Sequence, residues 1–314
     1  MTTRQPDNPT YSVVIPCYNS SASIEELLNR IVTSFDQRED TFEVICVDDA
    51  STDNVGDLIR EYREKDKRVK LIHLSKNVGQ HAAIHTGLQF VNGKYIITID
   101  DDLQNPPEEI SKLISSLEDH DAVLGIPKRK KQTTFRNFGS WMILRVTQSI
   151  FNLPRGFASS SFRIMHRHVA DNVAAMSTVY PYISGMIFLI SQNVGNVTVE
   201  HHERAHGKSG YTLVGLLRLS SNLIINYSKL PLHFLTLAAV ALLLISISGI
   251  AYLIVRKVLY AEYLLGWTSL MVLISFLGSF NLLAFAIIGQ YVIRVLNEIS
   301  GARKPIIREI LIDS

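Results

Sequence analysis

The 314-residue sequence contains only two cysteines and is close to charge balance, with a formal net charge of +2. Cys17 and Cys46 both lie in apolar, strand-like runs, so we expect buried thiols in a reducing compartment and no disulfide. The low net charge implies no bulk affinity for nucleic acid. A P-loop and a Rossmann glycine fingerprint are both absent, which argues against ATPases and dehydrogenases. Residues 1–10 are polar, so we expect no cleaved secretory signal.

Asp, Glu, Lys and Arg are absent from two long runs, Leu232 to Val255 and Leu264 to Val292. About 20 apolar residues cross the hydrocarbon core of a bilayer, so these runs predict two transmembrane helices. The alternative is two buried helices of a large soluble core, which rarely reach this length without a charge. Basic residues flank the hairpin on one side, at Arg218, Lys229, Arg294, Arg303, Lys304 and Arg308. The positive-inside rule then places the N-terminal part and the C-terminal tail in the cytoplasm.

Residues 11–125 alternate strand-like and helix-like patterns. Apolar runs predict strands at 11–16, 42–47, 69–74, 95–99 and 122–125. Helical patterns lie between them, at about 24–31, 53–65 and 79–91 and from 105 onward. Ser23 and Glu26 have capping-box spacing, and Asn105 is expected to cap the proline-containing helix start that follows it. This alternation predicts an α/β fold with a mostly parallel sheet and helices on both faces.

Polar segments follow three of the predicted strands, at Pro16 to Asn19, Asp48–Asp49 and Asp100 to Asp102. Ligands of such sheets bind beyond the carboxyl ends of the strands, so these segments should share one crevice. Three consecutive aspartates repel one another unless a cation or donors compensate, and Mg²⁺ or Mn²⁺ accepts carboxylates together with phosphate oxygens. The triplet therefore predicts a metal–diphosphate site, with helix capping as the alternative. A carboxylate of the 48–49 pair could instead bind a nucleoside, and Asp53 is expected to cap a helix.

Five segments carry a resemblance to a known family: SVVIPCYN from Ser12, VDDASTD from Val47, NVGQHAAIHTG from Asn77, DDDLQNPPEEI from Asp100 and HHERAHGKSGY from His201. They resemble family 2 glycosyltransferases of the GT-A fold. With the two apolar runs, they resemble in particular the polyprenyl-phosphate glycosyltransferases, such as dolichol-phosphate mannose synthases and the enzymes that load glucose or formyl-aminoarabinose onto undecaprenyl phosphate. We therefore expect a GT-A nucleotide-sugar-binding core (1–134), an acceptor-side part (135–229), a transmembrane hairpin (230–293) and a cytoplasmic tail (294–314).

The resemblance also implies roles for individual residues. The nucleotide would contact Pro16, Tyr18, Asn19, Val47, Asp49, Ser51, Gly79, Gln80 and Asp101. Asp100 and Asp102 would hold the metal and form the catalytic set with Gln104, Arg163 and Arg204. The acceptor phosphate would meet Lys128, Arg136, Ser209 and Tyr211. Ser161 stands where some members have an aspartate, which leaves no carboxylate base there, and Ser20, Lys128 and Gly210 also depart from the family pattern.

The resulting prediction is an inverting, metal-dependent transfer of a sugar from a nucleotide sugar, with UDP the expected nucleotide, to undecaprenyl phosphate. It would occur at the cytoplasmic face of a bacterial inner membrane and serve cell-envelope glycan or lipopolysaccharide modification. A lipid phosphate has a second pKa near 6 and is already nucleophilic, so no protein base is required. A same-fold enzyme acting on a sugar hydroxyl would need a longer membrane region and a QxxRW-type motif, which the sequence lacks. A non-catalytic nucleotide-binding membrane protein is the other alternative.

Three further expectations concern the surroundings of this site. Residues 135–153 and 213–229 have the composition of amphipathic helices on a membrane surface or of core helices. The histidines at 201, 202 and 206 are expected to be loop residues, not zinc ligands. The resemblance implies a homo-oligomer, a tetramer in some members, in which the segment Ile306 to Ile312 could be an exchanged strand.

Overall fold

The computed structural model describes residues 8–128, 160–178, 181–202, 230–260, 266–300 and 305–312. The chain divides into two compact units, one made of residues 1–212 with 301–314 and the other of residues 213–300. The first unit is an α/β domain. Its described strands are β1 (Tyr11–Cys17), β2 (Phe42–Asp48), β3 (Val69–Leu74), β4 (Tyr95–Thr98), β5 (Ala122–Pro127), β6 (Arg163–His166), β7 (Val194–Val199) and β8 (Ile307–Leu311).

These strands form one sheet in the order β7-β5-β6-β4-β1-β2-β3-β8. The central strands β4, β1, β2 and β3 are mutually parallel, as are β5 and β7. Strand β6 runs antiparallel between β4 and β5, and β8 pairs antiparallel with β3 at the opposite edge. The mostly parallel sheet predicted from the sequence is therefore confirmed, with antiparallel insertions that the local patterns did not indicate.

Helices cover both faces of the sheet, as the continuous apolar runs predicted. In the described part of the unit they are α1 (Ile24–Asp36), α2 (Val55–Lys65), α3 (Gln80–Gly87), α4 (Ile110–Ser116), α5 (Arg167–Ala175) and α6 (Ile183–Ile190). Helices α1, α2 and α4 contribute to one core, and α3, α5 and α6 contribute to the other. Leu27, Leu28 and Ile31 of α1 are fully buried, and burial of each such side chain stabilises the fold by about 1.5–3 kcal/mol.

The interior also explains the state of the two cysteines. Cys17 and Cys46 are free and buried, as predicted. They lie on the neighbouring strands β1 and β2, where a hydrogen bond with Cys46, together with burial, raises the pKa of the Cys17 thiol. Since the thiolate is the reactive form, the raised pKa keeps Cys17 unreactive, and the two cysteines pack as small buried side chains.

Two predicted helix caps are wrong because tertiary partners compete for the same side chains. Ser23 makes no side-chain cap to α1, and its hydroxyl donates instead to the backbone oxygen of Asp101 at 2.6 Å. Asn105 does not cap α4, which begins at Ile110 after a short 3₁₀ turn at Pro107–Glu109. Its side-chain oxygen lies 3.3 Å from His201 Nδ1. In contrast, the carboxylate of Asp53 accepts from the N–H of Val55 at the start of α2, as expected.

Helix α3 is shorter than the predicted 79–91 segment and ends at Gly87. Leu88, Gln89 and Phe90 follow it, with hydrogen bonds that tighten to the i→i+3 type from Gln89 onward. A Cβ added at Gly87 would lie 2.6 Å from Val14 Cγ1. Helix α3 therefore approaches β1 so closely at its last residue that a larger side chain would clash there.

The C-terminal segment returns to the first unit and adds the edge strand β8. Its register pairs Leu71 with Leu311 and Ile72 with Ile310. Arg60 of α2 donates to Glu309 at 2.7 Å, which ties the strand to a neighbouring helix. The sequence predicted a strand here that could be exchanged between copies, and in this single chain the strand pairs with its own β3.

The second unit contains two long helices, α7 (Leu230–Tyr260) and α8 (Trp267–Ser300). Segments of 19 and 18 residues within them, Pro231–Gly249 and Phe276–Ile293, are long and apolar enough to cross a membrane. Almost none of their residues is covered by the rest of the chain, and Leu237, Leu282 and Phe285 are 70%, 71% and 68% exposed. The helices of a soluble core are mostly buried, so the low burial of these two segments favours the predicted membrane spans.

Candidate functional site

A cavity of about 400 Å³ lies at the carboxyl ends of β1, β2 and β4. The three polar segments that follow these strands all contribute to it, as the parallel arrangement predicted. Its lining residues are Pro16, Cys17, Tyr18, Asp49, Asn77, Gly79, Gln80, Asp100, Asp101 and Asp102. Six of the predicted nucleotide residues and both predicted metal ligands are therefore brought together at one edge of the sheet.

The loops that bound the cavity share an uncommon backbone conformation. Asn19, Ala50 and Leu103 follow β1, β2 and β4 and have φ angles of 51°, 55° and 58°. Positive φ is uncommon for residues other than glycine, and such positions persist where the surrounding contacts determine them. The three left-handed residues turn the chain sharply at each strand end and place polar groups around the cavity.

Asp49 fixes the wall formed by residues 77–79. Its carboxylate accepts hydrogen bonds from the N–H groups of Val78 and Gly79 at 2.7 and 2.8 Å. Burial raises the pKa of Asp49, and these two backbone hydrogen bonds oppose that effect. Gly79 has a φ angle of 90°, a conformation that side chains other than glycine rarely adopt. Asn77 adds a side-chain hydrogen bond to the Asp49 backbone oxygen at 3.3 Å.

Three of the predicted nucleotide residues lie outside the cavity lining. Val47 is buried within β2. The side chain of Asn19 accepts from the N–H of Thr52 at 2.8 Å, and its own N–H donates to Ser51 Oγ at 3.1 Å. Asn19 and Ser51 therefore join the loops after β1 and β2. Asp48 also points elsewhere, since it lies 2.7 Å from His73 Nδ1.

Each aspartate of the triplet has a different set of partners. Asp100 accepts from Gln80 Nε2 and from Ser161 Oγ. Burial raises its pKa to about 6; the charges of Asp102 and Asp101 act in the same direction, and Ser161 opposes them. Asp101 accepts from the N–H of Tyr18 at 3.0 Å, and burial raises its pKa as well. Asp102 accepts from the N–H of Gln104 at 3.1 Å.

This donor set fits a hard divalent cation whose coordination a substrate completes. No cluster of three or more metal-binding side chains is preformed in the described part of the chain. Mg²⁺ and Mn²⁺ commonly use one or two carboxylates and take their other ligands from water and phosphate oxygens. A cation would also offset the repulsion among three neighbouring carboxylates, which adds to the effect of burial in raising the pKa of Asp100.

A second segment reaches the triplet from β7. The N–H of His202 donates to the Gln104 backbone oxygen at 2.8 Å, and Gln104 Nε2 approaches the His202 oxygen at 3.5 Å. Lys128 follows β5, where its N–H donates to Val199 at 3.2 Å. Arg204 of the predicted catalytic set lies outside the described residues, as do the other predicted acceptor-phosphate residues, Arg136, Ser209 and Tyr211.

Two of the described catalytic candidates, Gln104 and Arg163, do not line the cavity, and Arg163 is the fully buried one. It lies in β6 opposite Thr98 and Leu124 and is 0% exposed. Burial lowers its pKa to about 10, and the charge of Asp100 partly offsets this. The sequence pattern did not indicate this burial, nor the participation of Ser184, which accepts from Arg163 Nη1 at 3.0 Å. The antiparallel register of β6 that places Arg163 in the interior has no local sequence signal.

Comparison with known proteins identifies glycosyltransferases, with relatives that align over most of the chain. The family model for Glycosyl transferase family 2 matches residues 12–174. A protein of Bacillus subtilis (strain 168) described as uncharacterized glycosyltransferase YkcC is 32% identical over 293 residues, which cover 92% of this chain and 90% of that protein. The undecaprenyl-phosphate 4-deoxy-4-formamido-L-arabinose transferase of Aeromonas hydrophila is 31% identical over 306 residues, covering 96% and 93% of the two chains.

The fold also matches solved structures. Glucosyl-3-phosphoglycerate synthase from Mycobacterium tuberculosis, in complex with Mn²⁺, UDP and glucosyl-3-phosphoglycerate, has a TM-score of 0.52 and 19% identity. The match covers 71% of this chain and 84% of that one. The same enzyme with Mn²⁺, UDP and phosphoglyceric acid also gives a TM-score of 0.52, at 20% identity and with coverage of 69% and 76%. At this level of identity the match establishes the GT-A type of fold.

Proposed function

Because the chain belongs to glycosyl transferase family 2, we propose that it transfers a sugar from a nucleotide sugar to a polyprenyl phosphate, undecaprenyl phosphate in bacteria. One observation carries this proposal: a cavity lined by four aspartates, three of them consecutive, and two uncovered helices long enough to cross a membrane occur in the same chain. A purely water-soluble acceptor would not require such helices. Relatives that span almost the whole chain are named as undecaprenyl-phosphate sugar transferases, which supports the same acceptor.

We assign the nucleotide to the side of the cavity formed by β1 and β2. The side chain of Tyr18 is 49% exposed at the cavity wall and offers a ring on which a base can stack. Asp49 and Gly79 line the same cavity, and the Asp49 carboxylate accepts from the N–H groups of Val78 and Gly79. UDP is the expected nucleotide, in keeping with the UDP bound to the structural neighbour.

The diphosphate belongs beside the aspartate triplet. Asp100 and Asp102 would hold a divalent cation, Mg²⁺ or Mn²⁺, with Gln104 and Asp101 shaping the loop around it. When bound, such a cation supplies positive charge that stabilises the diphosphate as a leaving group. Gln80 and Ser161 orient the Asp100 carboxylate by donating to its two oxygens.

The acceptor phosphate requires orientation more than activation. Its second pKa is near 6, so at cytoplasmic pH it is mostly a dianion and is nucleophilic without a base. One of its oxygens forms a bond to the anomeric carbon while the bond to the nucleoside diphosphate breaks on the opposite face, which inverts the anomeric centre. We assign the orientation of this phosphate to Arg204, which follows His202 by two residues, together with Lys128, Arg136, Ser209 and Tyr211.

The membrane arrangement is part of the proposal. We expect α7 and α8 to cross the bacterial inner membrane, with the first unit on the cytoplasmic side where nucleotide sugars and the phosphate headgroup meet. The basic residues before α7 and after the apolar part of α8 support this orientation through the positive-inside rule. The assembly state we expect is a homo-oligomer.

The test uses the full chain purified in nanodiscs with Mn²⁺, undecaprenyl phosphate and a panel of UDP- and GDP-sugars. We expect release of one nucleotide only when the lipid phosphate is present, and a lipid product heavier by one sugar in the mass spectrum. Asp102→Asn should abolish both. Asp57→Asn is the matched control, because Asp57 is a 72%-exposed surface carboxylate paired with Arg60, and it should retain activity.

Two results would refute the proposal. Folded protein that forms no lipid product with any sugar of the panel would shift the assignment to a sugar-hydroxyl acceptor or to nucleotide binding alone. Equal activity of Asp102→Asn and the Asp57→Asn control would remove the aspartate triplet from the reaction.

A further inference from the structure

Arg163 is the largest fully buried side chain in the described part of the chain. Arginine is almost never fully buried without a paired charge, because removal of its charge from water is costly. The structure shows no direct salt bridge for Arg163 among the described residues. Its presence in the core of the sheet therefore needs another explanation.

The contacts of Arg163 lead to the aspartate triplet through one serine. Arg163 Nε donates to the Ser161 backbone oxygen at 3.2 Å, and Nη1 donates to Ser184 Oγ at 3.0 Å. The same Ser161 oxygen accepts from Thr98 Oγ1. Two donors thus hold the backbone of Ser161, while the Ser161 hydroxyl donates to Asp100. The path from Ser184 to Asp100 consists of consecutive hydrogen bonds.

The remaining nitrogen of the guanidinium is also informative. Arg163 Nη2 contacts no hydrogen-bond partner within the described ranges. A buried donor without a partner is energetically unfavourable, so the hydrogen bonds that Arg163 makes do not explain its burial. Asp100 and Arg163 stabilise each other's charged forms across Ser161, and charges interact more strongly in a low-dielectric interior.

We propose that Arg163, through Ser161 and with Ser184 as its anchor, is a positioning residue that holds Asp100 in the geometry required for the divalent cation and does not itself bind a phosphate. This inference rests on the proposed function and deepens it. It assigns Ser161 and Ser184 a part in the same site. It also changes the role predicted for Arg163 in the catalytic set, because Arg163 is 0% exposed and absent from the cavity lining, so its side chain cannot reach a ligand there.

The experiment measures binding independently of turnover. Free Mn²⁺ is followed by electron paramagnetic resonance as it is titrated into the full chain in detergent with UDP. Ser161→Ala and Ser184→Ala remove a single hydroxyl each, so both should fold. We expect Mn²⁺ affinity about 10–100-fold weaker in Ser161→Ala, the usual effect of losing a partner of a metal ligand, and a smaller loss in Ser184→Ala. Arg163→Lys keeps the charge but not the planar fork, and it should bind Mn²⁺ better than Arg163→Met.

Arg167→Met is the matched control, since Arg167 is 40% exposed and pairs with Asp171 at the start of α5. Its Mn²⁺ affinity should equal that of the wild type. The KM for undecaprenyl phosphate in the active variants should also stay unchanged, whereas direct phosphate contact would raise it and leave Mn²⁺ affinity intact. A raised KM with intact Mn²⁺ affinity would overturn the inference. It would also be overturned if the Ser161 and Arg163 variants had lower melting temperatures but their folded fraction bound Mn²⁺ normally. Because Mn²⁺ and UDP binding needs no lipid, failure of the proposed transfer reaction would be seen separately.

Discussion

Replacement of Glu43 by glutamine should destabilise the first unit far more than the loss of a surface charge would. Glu43 is 3% exposed at the start of β2. Its carboxylate accepts from Lys70 Nζ at 2.6 Å, Ser12 Oγ at 2.5 Å and the N–H of Asn92 at 2.6 Å. The glutamine side chain has no negative charge, and its NH₂ group would face at least one of these three hydrogen-bond donors. Lys70, itself largely enclosed, would then keep a buried charge without its partner.

The expected loss of stability follows from the burial of the Glu43–Lys70 ion pair. Breaking a buried ion pair by removing one partner costs about 3–5 kcal/mol. For a domain of this size, each kcal/mol lowers the melting temperature by about 2–4 °C, so Glu43→Gln should melt roughly 6–20 °C below the wild type. The control is Glu64→Gln, which removes the charge of a 71%-exposed carboxylate that pairs with the 56%-exposed Lys67 at 2.9 Å and lies 3.7 Å from Arg63. Exposed pairs contribute about 0–1 kcal/mol, so this control should melt close to the wild type.

The difference should also depend on pH, in a direction that follows from the pKa of Glu43. Burial alone would raise that pKa, but the hydrogen bonds from Lys70, Ser12 and Asn92 outweigh burial and lower it. A depressed folded-state pKa contributes stability above the unfolded value of about 4.3, and that stability is lost as pH falls through the folded value. The gap between wild type and Glu43→Gln should therefore be full at pH 7 and narrow below about pH 4. Thermal melting followed by circular dichroism would refute the reasoning if Glu43→Gln and Glu64→Gln melted within about 2 °C of each other at pH 7.

Three further predictions concern the cavity and its supports. Tyr18→Ala should weaken UDP binding in calorimetry by about 1–3 kcal/mol, the usual contribution of base stacking, while Tyr62→Ala, on α2, should not; equal affinities would place the base elsewhere. Asp49→Ala leaves the N–H groups of Val78 and Gly79 without their acceptor, so hydrogen exchange at both amides should accelerate and UDP affinity should fall. Unchanged exchange would show that Asp49 does not hold these two amides. Gly87→Ala places a Cβ 2.6 Å from Val14 and should cost about 1–3 kcal/mol by overpacking, whereas Gly249→Ala, with open space around the added atom, should leave the melting temperature unchanged.

The parts of the fold that the sequence predicted are those with strong local patterns. Strands β1 and β2 are continuous apolar runs, and parallel strands end at the same edge, so the sequence pattern alone places Tyr18, Asp49 and Asp100 at one cavity. The two apolar helices were predicted from the absence of charge alone. Neither prediction needs knowledge of which strands are neighbours.

The parts that were missed depend on contacts between distant residues. Ser23 has the spacing of a helix cap, but the Asp101 backbone oxygen, 78 positions away, takes its hydroxyl. Asn105 contacts His201 in the same way. The resemblance placed Arg163 in the catalytic set, yet the pairing of Arg163 with Thr98 and Leu124 in the sheet places its side chain in the interior. Such outcomes are set by strand register, which no short segment of the sequence encodes.

The edge strand β8 constrains how the chain can be threaded through a bilayer. Strands β1 to β7 precede the two long helices in the chain and β8 follows them, but all eight belong to one hydrogen-bonded sheet. A sheet cannot be divided by a membrane, because its backbone groups pair across every strand. Both ends of the helical segment must therefore emerge on the same side, so the number of crossings between β7 and β8 is even. An even number of crossings excludes a single membrane-spanning helix between β7 and β8, whichever compartment the sheet faces.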